Sequence, residues 1–141
     1  MKYLVFVMVL LLPVVASAQD DYTDGSYWTV TSVDTKPGHF DDYMEDLNNV
    51  WRKSMEMLIK DGKVLSYKLF SNVNPRTDEP NLWLLVEWKS GAAWLDTPRS
   101  YYEAQNKKLF GSDEEGTQAN IKRGDLRTIM SNTLMMEMKF K

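Results

Sequence analysis

The eight residues Leu82-Trp83-Leu84-Leu85-Val86-Glu87-Trp88-Lys89 decide how this chain folds. In an extended strand, successive side chains point to opposite faces. Leu82, Leu84, Val86 and Trp88 therefore share one face, and Trp83, Leu85 and Glu87 share the other. Apolar character on both faces means that both faces of the sheet are covered. Downstream, Ser90 is placed to cap a helix that starts at Gly91-Ala92-Ala93-Trp94-Leu95. Asp96-Thr97-Pro98 interrupts that helix, because proline is poorly tolerated inside one. Helix resumes from Ser100 to Leu109. Gly111–Arg123, with its acidic run Asp113-Glu114-Glu115, reads as a long solvated loop. Leu126–Met130 adds a short extended piece. Thr133–Phe140 is the last strand, with Leu134, Met136, Met138 and Phe140 on one face.

Upstream, Tyr27–Val33 is β-branched and aromatic and reads as the first strand. Lys36-Pro37-Gly38 ends it. From His39 to Lys60 the period changes: Phe40, Met44, Leu47, Trp51, Met55 and Leu58 recur at three and four residues, the stripe of a helix lying on a sheet. Asp61-Gly62 stops this helix. Val64–Ser71 alternates as a second strand, and Asn72–Asn81, with two prolines, is a loop. The order is β-α-β-β-α-β. This is the ferredoxin-like plait of the α+β class: an antiparallel sheet with two helices on one face. The other face would carry Trp83, Leu85 and Met135, too apolar to meet water. An identical sheet laid on it makes a homodimer.

The ends of the chain speak of compartment. Met1-Lys2 is followed by the apolar run Tyr3–Val15 and by the small residues Ala16-Ser17-Ala18. This is the pattern of a secretory signal peptide, residues 1–18. The run is short for a bilayer span, and no membrane span is expected once it is removed. Removing 18 residues from 141 leaves 123, and the loss of Lys2 takes the net charge from −3 to −4. Residues 19–26, QDDYTDGS, read as a flexible polar terminus ahead of a single domain, 27–141. An exported chain in the periplasm or secreted medium, with no Cys to oxidise or mispair, is self-consistent.

Composition removes whole classes of chemistry. No Cys means no disulfide, thiolate metal site, iron–sulfur cluster or Cys nucleophile, and a single His leaves no multi-His zinc site. The acidic balance argues against nucleic acid, whose affinity rests on clustered Lys and Arg. Met135, Met136 and Met138 could offer soft ligands to copper(I), but alternation sends Met135 to the opposite face, and packing is the stronger account. No metal and no cofactor are expected.

Two stretches resemble a known group. Trp28–Leu47, WTVTSVDTKPGHFDDYMEDL, is similar to the opening of dimeric α/β-barrel proteins. Val86–Trp94, VEWKSGAAW, is similar to their third strand running into the second helix. That superfamily includes antibiotic-biosynthesis-type monooxygenases, stress-responsive barrel proteins, muconolactone isomerases and haem-handling members. By element order the resemblance covers residues 27–140. It implies a homodimer whose two sheets close into a barrel, with pockets between each sheet and its helices. It also implies that any catalysis would be that of a cofactor-free monooxygenase or isomerase. Haem-binding members use a His on or near the second helix; here no His follows His39, so haem is not expected.

The candidate site residues follow from residue chemistry. His39, at the turn opening the first helix, is the one side chain that titrates near neutrality unperturbed, and is the candidate general base; as a plain first-turn residue it would be solvated. Trp51 on the helix and Tyr67 on the second strand are placed to meet across the helix–sheet gap. With Tyr43, Trp28 and Trp83 they are the candidate lining for a small apolar or aromatic ligand, the alternative being that all five simply pack. Glu87 reads as a cross-strand ion pair with Lys139 or Lys68, and Arg127 as an anion holder or a bridge to Glu137. The function expected is binding of such a molecule; the alternative is a non-catalytic exported assembly module.

Overall fold

A computed structural model describes residues 21–141. The expected export signal, residues 1–18, lies outside the described residues. Four strands, β1 (Tyr22–Thr35), β2 (Val64–Ser71), β3 (Leu82–Trp88) and β4 (Arg127–Phe140), form one antiparallel sheet in the order β2-β3-β1-β4. The helices are α1 (Phe40–Asp46), α2 (Arg52–Lys60), α3 (Gly91–Leu95), α4 (Arg99–Phe110) and α5 (Asp113–Lys122). This is the α+β ferredoxin-like arrangement, and the four strands fall in the expected sequence order. Among the described residues, no helix is long and apolar enough to cross a membrane.

The inner face of β3 builds the core. Leu82 and Leu84 pack with Val33, Tyr43 and Leu47; Val86 and Trp88 pack with Met55, Leu58 and Val64. All ten side chains are buried. Trp88 keeps its indole N–H satisfied inside that core by donating to Thr29 Oγ1 at 3.0 Å, as a buried indole must. Two helix boundaries are closed as the sequence implies. Ser90 Oγ accepts from the Ala93 N–H at 3.1 Å. Gly62, at φ +69°, ends α2: its N–H reaches Ile59 O, and the Lys63 N–H reaches Leu58 O, the paired bonds of a left-handed glycine cap.

Several expectations are corrected. Tyr22–Ser26 is not a loose terminus but the start of β1, paired along Tyr22↔Phe140, Thr23↔Lys139 and Asp24↔Met138. Its Asp and Gly residues mask that pairing because they are poor strand formers. Gly25 sits at a bulge where a Cβ would lie 2.7 Å from the Glu137 carboxylate, so only glycine fits unaltered. Leu126–Met130 and Thr133–Phe140 are not two pieces, because β4 runs unbroken from Arg127 to Phe140. Residues 113–122 form a helix instead of a loop. Ser112 Oγ accepts from the Glu115 N–H at 3.1 Å, and Asp113, Glu114 and Glu115 lie in the first turn with Lys122 in the last. The acidic run is thus the negative end that a helix dipole favours.

The first helix is also not one α-helix. Leu47–Trp51 is a π-helical turn between α1 and α2. The buried stripe before it runs through Tyr43 and Leu47 rather than Phe40, which stays exposed. Behind it, α4 is tied down by Tyr101. Its hydroxyl donates to Asp61 and its ring lies 4.9 Å from the Lys63 ammonium. Burial first, and then the Asp61 carboxylate, push the Tyr101 hydroxyl up to about 12.

Two measurements check this account. Leu58→Ala empties a fully buried position and should lower unfolding free energy by about 2–5 kcal/mol, whereas Ser112→Ala removes one helix cap and should cost about 1 kcal/mol. Equal costs in urea titration would contradict the assignment of core and cap. Tyr101 adds a pH signature. Its folded pKa lies above the ordinary value of 10.0, so its contribution is full below pH 10 and is lost as pH rises toward 12. The stability difference between the native chain and Tyr101→Phe should therefore be flat up to pH 10 and shrink above it; a difference that grows with pH would be the wrong sign.

Candidate functional site

The π turn places three of its residues around a recess. Leu47, Asn48 and Trp51, with Met44 and Arg52 beside them, face Tyr67 and Leu69 of β2 across a cavity of about 120 Å³ whose wall is mostly apolar. Trp51 and Tyr67 meet edge to face, ring centres 5.2 Å apart and planes at 83°, a favourable geometry for two aromatic quadrupoles. A π turn adds one residue to the helical repeat and recurs at functional sites because it re-aims side chains. Here Asn48 and Trp51 share the cavity lining with Leu47, which is also a core residue. The sequence carried a weak sign of it: Asn48-Asn49-Val50 is a run of poor helix formers in mid-helix.

The cavity is small. Ligand pockets for drug-sized molecules commonly run to about 300–1,000 Å³, while an apolar cavity of about 150 Å³ accepts a benzene ring. The volume here therefore matches one aromatic ring or a short aliphatic group. The polar residues in its lining are Asn48, Arg52 and Tyr67, and the half-exposed Arg52 guanidinium is paired with Glu56 at 3.5 Å.

The sequence-selected residues do not gather at one place. Trp51 and Tyr67 do meet. Tyr43 is three residues from the turn but is buried in the core, against Val33, Leu47, Leu82 and Leu84, with the Arg127 guanidinium 5.8 Å from its ring centre. Burial pushes its hydroxyl up, and the Arg127 charge draws it part of the way back. Arg127 thus lies against Tyr43 with its buried Nε lacking a hydrogen-bond partner among the described residues, and Glu137 pairs instead with Lys139 at 3.5 Å. His39 lies apart from the cavity, exposed at the start of α1, with Nδ1 2.9 Å from Asp42 Oδ2. Among the described residues, no group of three His, Cys, Asp or Glu is placed to hold a metal ion.

Trp28 and Trp83 lie on the other side of the sheet. The helix-free face presents Trp28, Val30, Phe70, Leu85 and Met135 around an open depression of about 390 Å³. Trp83 is on the same face of β3 as Leu85 and pairs with Phe70 and Ser32. Phe70 is 51% exposed and Met135 48%. The charges on this face are organised. The Lys68 ammonium sits 5.4 Å from the Trp28 ring centre. Glu87 is not held by an ion pair as expected: it accepts from Ser26 Oγ at 2.7 Å and from Ser66 Oγ at 2.6 Å. Those two hydroxyls, more than the neighbouring Lys68 and Lys139, hold its carboxyl below the ordinary value.

No protein-family model and no curated protein sequence matches the chain. Solved structures do match in fold. A dimeric ferredoxin-like protein from an uncultured marine organism aligns over 82% of this chain and 89% of its own, with TM-score 0.53 and 9% identity. A Pseudomonas aeruginosa protein aligns over 82% and 95%, with TM-score 0.46 and 14% identity. A NIPSNAP-family protein of unknown function from Agrobacterium tumefaciens aligns over 82% and 89%, with TM-score 0.42 and 13% identity. At 9% identity the likeness to the marine protein is one of fold alone, and the fold it supports is the ferredoxin-like one described above.

Proposed function

We propose that this chain is an exported ferredoxin-like homodimer that binds one small apolar or aromatic molecule between the first helix and β2. The observation that carries the binding reading is the π turn, whose Leu47, Asn48 and Trp51 line an apolar cavity closed on the far side by Tyr67. The reading is of binding rather than turnover. The polar residues lining the cavity are Asn48, Arg52 and Tyr67, and His39, the candidate base, is elsewhere.

The homodimer is argued from the bare sheet face. Trp28, Val30, Phe70, Leu85 and Met135 form a contiguous apolar depression, and a patch of that kind on a soluble chain is a contact surface. A second copy related by a twofold axis presents the same patch in return. The solved marine protein of this fold is itself described as dimeric. Such a dimer buries Trp28 and Trp83 between the sheets, where they pack and do not touch the ligand cavity. Export rests on the apolar run Tyr3–Val15 and the small residues that follow it.

Sedimentation of the chain from residue 19 onward at micromolar concentration should give a dimer. Phe70→Asp, at a half-exposed position, should give a folded monomer. A native chain that sediments as a monomer would overturn the dimer. For binding, native mass spectrometry of protein purified from its own cell envelope should show an N-terminus at Gln19 and a retained small molecule. A chain that carries none, and that gives no heat on titration with phenol, would leave the assembly role in its place.

A further inference from the structure

Trp51 faces two cavities, not one. On one side is the apolar cell against Tyr67. On the other is a second cell of about 120 Å³, between α2 and the α4–α5 pair, lined by Val50, Ser54, Asn106, Leu109, Asn120 and Arg123 among others. Trp51 is the one residue common to both linings.

The second cell has a different chemistry. Arg123 is the charged residue in its lining, and its guanidinium is paired with Asp46 across the helix layer and donates from Nη1 to Asn120 Oδ1 at 2.8 Å. The cell is therefore electrically neutral. Asn106 Nδ2 donates to Asp113 Oδ1 at 2.8 Å, and Ser54 Oγ donates to Gln105 Oε1 at 3.2 Å. The Asn120 amide N–H, on an exposed residue, and the Asn106 carbonyl oxygen have no side-chain hydrogen bond among the described residues. Those groups suit a neutral hydroxyl or amide, which can both donate and accept, and not a carboxylate, whose charge the Asp46–Arg123 pair does not balance.

We propose that Trp51 is the specificity-determining partition of this binding site: with its indole in place the site admits a single aromatic ring, and the cell behind it is a polar subsite for a hydroxyl or amide on a larger aromatic molecule. The inference rests on the binding reading above and adds a size limit and a polarity to it. Removing the indole joins the two cells into one slot, apolar at Tyr67 and hydrogen-bonding at Asn106 and Asn120.

Titration calorimetry with phenol, 2-naphthol and naphthalene tests this. The native chain should bind phenol and give no detectable heat with 2-naphthol. Trp51→Leu, a helix-compatible truncation, should give a clear binding isotherm with 2-naphthol, at least about tenfold tighter than the weakest binding the titration resolves. Adding Asn120→Leu to Trp51→Leu should weaken 2-naphthol several-fold and leave naphthalene unchanged. Should Trp51→Leu fail to give a native circular dichroism spectrum, Trp51→Phe, which keeps a ring against Tyr67, should show the same gain in smaller measure. Phenol binding by the native chain with no gain of 2-naphthol in a folded Trp51 variant would overturn the partition while leaving the binding site. A native chain that binds none of the three would overturn the site itself, and the partition with it.

Discussion

The structure depends on one constraint: β3 is apolar on both faces and sits between β1 and β2. Its inner residues Leu82, Leu84, Val86 and Trp88 require a helical layer over them, and that layer is supplied by the segment through Tyr43, Leu47, Met55 and Leu58. Its outer residues Trp83 and Leu85 require a second cover. Nothing in the described chain supplies one, which is why Phe70, Met135 and the long β4 strand remain as exposed as they are. In the proposed homodimer a second copy completes that burial, which would tie stability to association and make measured stability depend on protein concentration.

The helical layer cannot satisfy that demand as a regular cylinder. The π turn breaks the repeat between Tyr43 and Met55, two residues that both have to reach the core. At the break, packing is incomplete. Trp51 leans on Tyr67 and lines two cavities. An apolar void of this size forfeits dispersion contacts and costs stability, which a matching guest would restore. The same local irregularity marks where a matching guest would regain most contact.

Much of the fold was legible because it rests on short-range periodicity. The alternation in Leu82–Trp88 and the hydroxyl at Ser90 mapped directly onto β3 and the α3 cap, and Val64–Ser71 is β2, although a bulge at Leu65 leaves that residue exposed and puts Val64 in the core. What stayed hidden was either long-range or ambiguous. The pairing of Tyr22–Asp24 with Met138–Phe140 joins opposite ends of the chain, so no local pattern reveals it. Asp113-Glu114-Glu115 reads equally as a solvated loop or as the acidic first turn of a helix, and only Ser112 decides between them. For the site, chemical type was legible and position was not. Trp51 and Tyr67 were paired from spacing alone, because a helix stripe and a strand face must oppose each other. Trp28 and Trp83 were grouped with them by residue type, although the parity of their strands puts them across the sheet. The polar cell behind Trp51 draws on α2, α4, α5 and the turn after it, a convergence that no single segment signals.

The central claim is that the π turn and β2 enclose an apolar cavity ready for a guest. Xenon enters such cavities without needing a hydrogen bond, so a crystal of the chain pressurised with xenon tests it most directly. The account predicts one well-occupied xenon atom bounded by Leu47, Trp51, Tyr67 and Leu69. Side chains collapsed over that position, with no xenon between the first helix and β2, would contradict it.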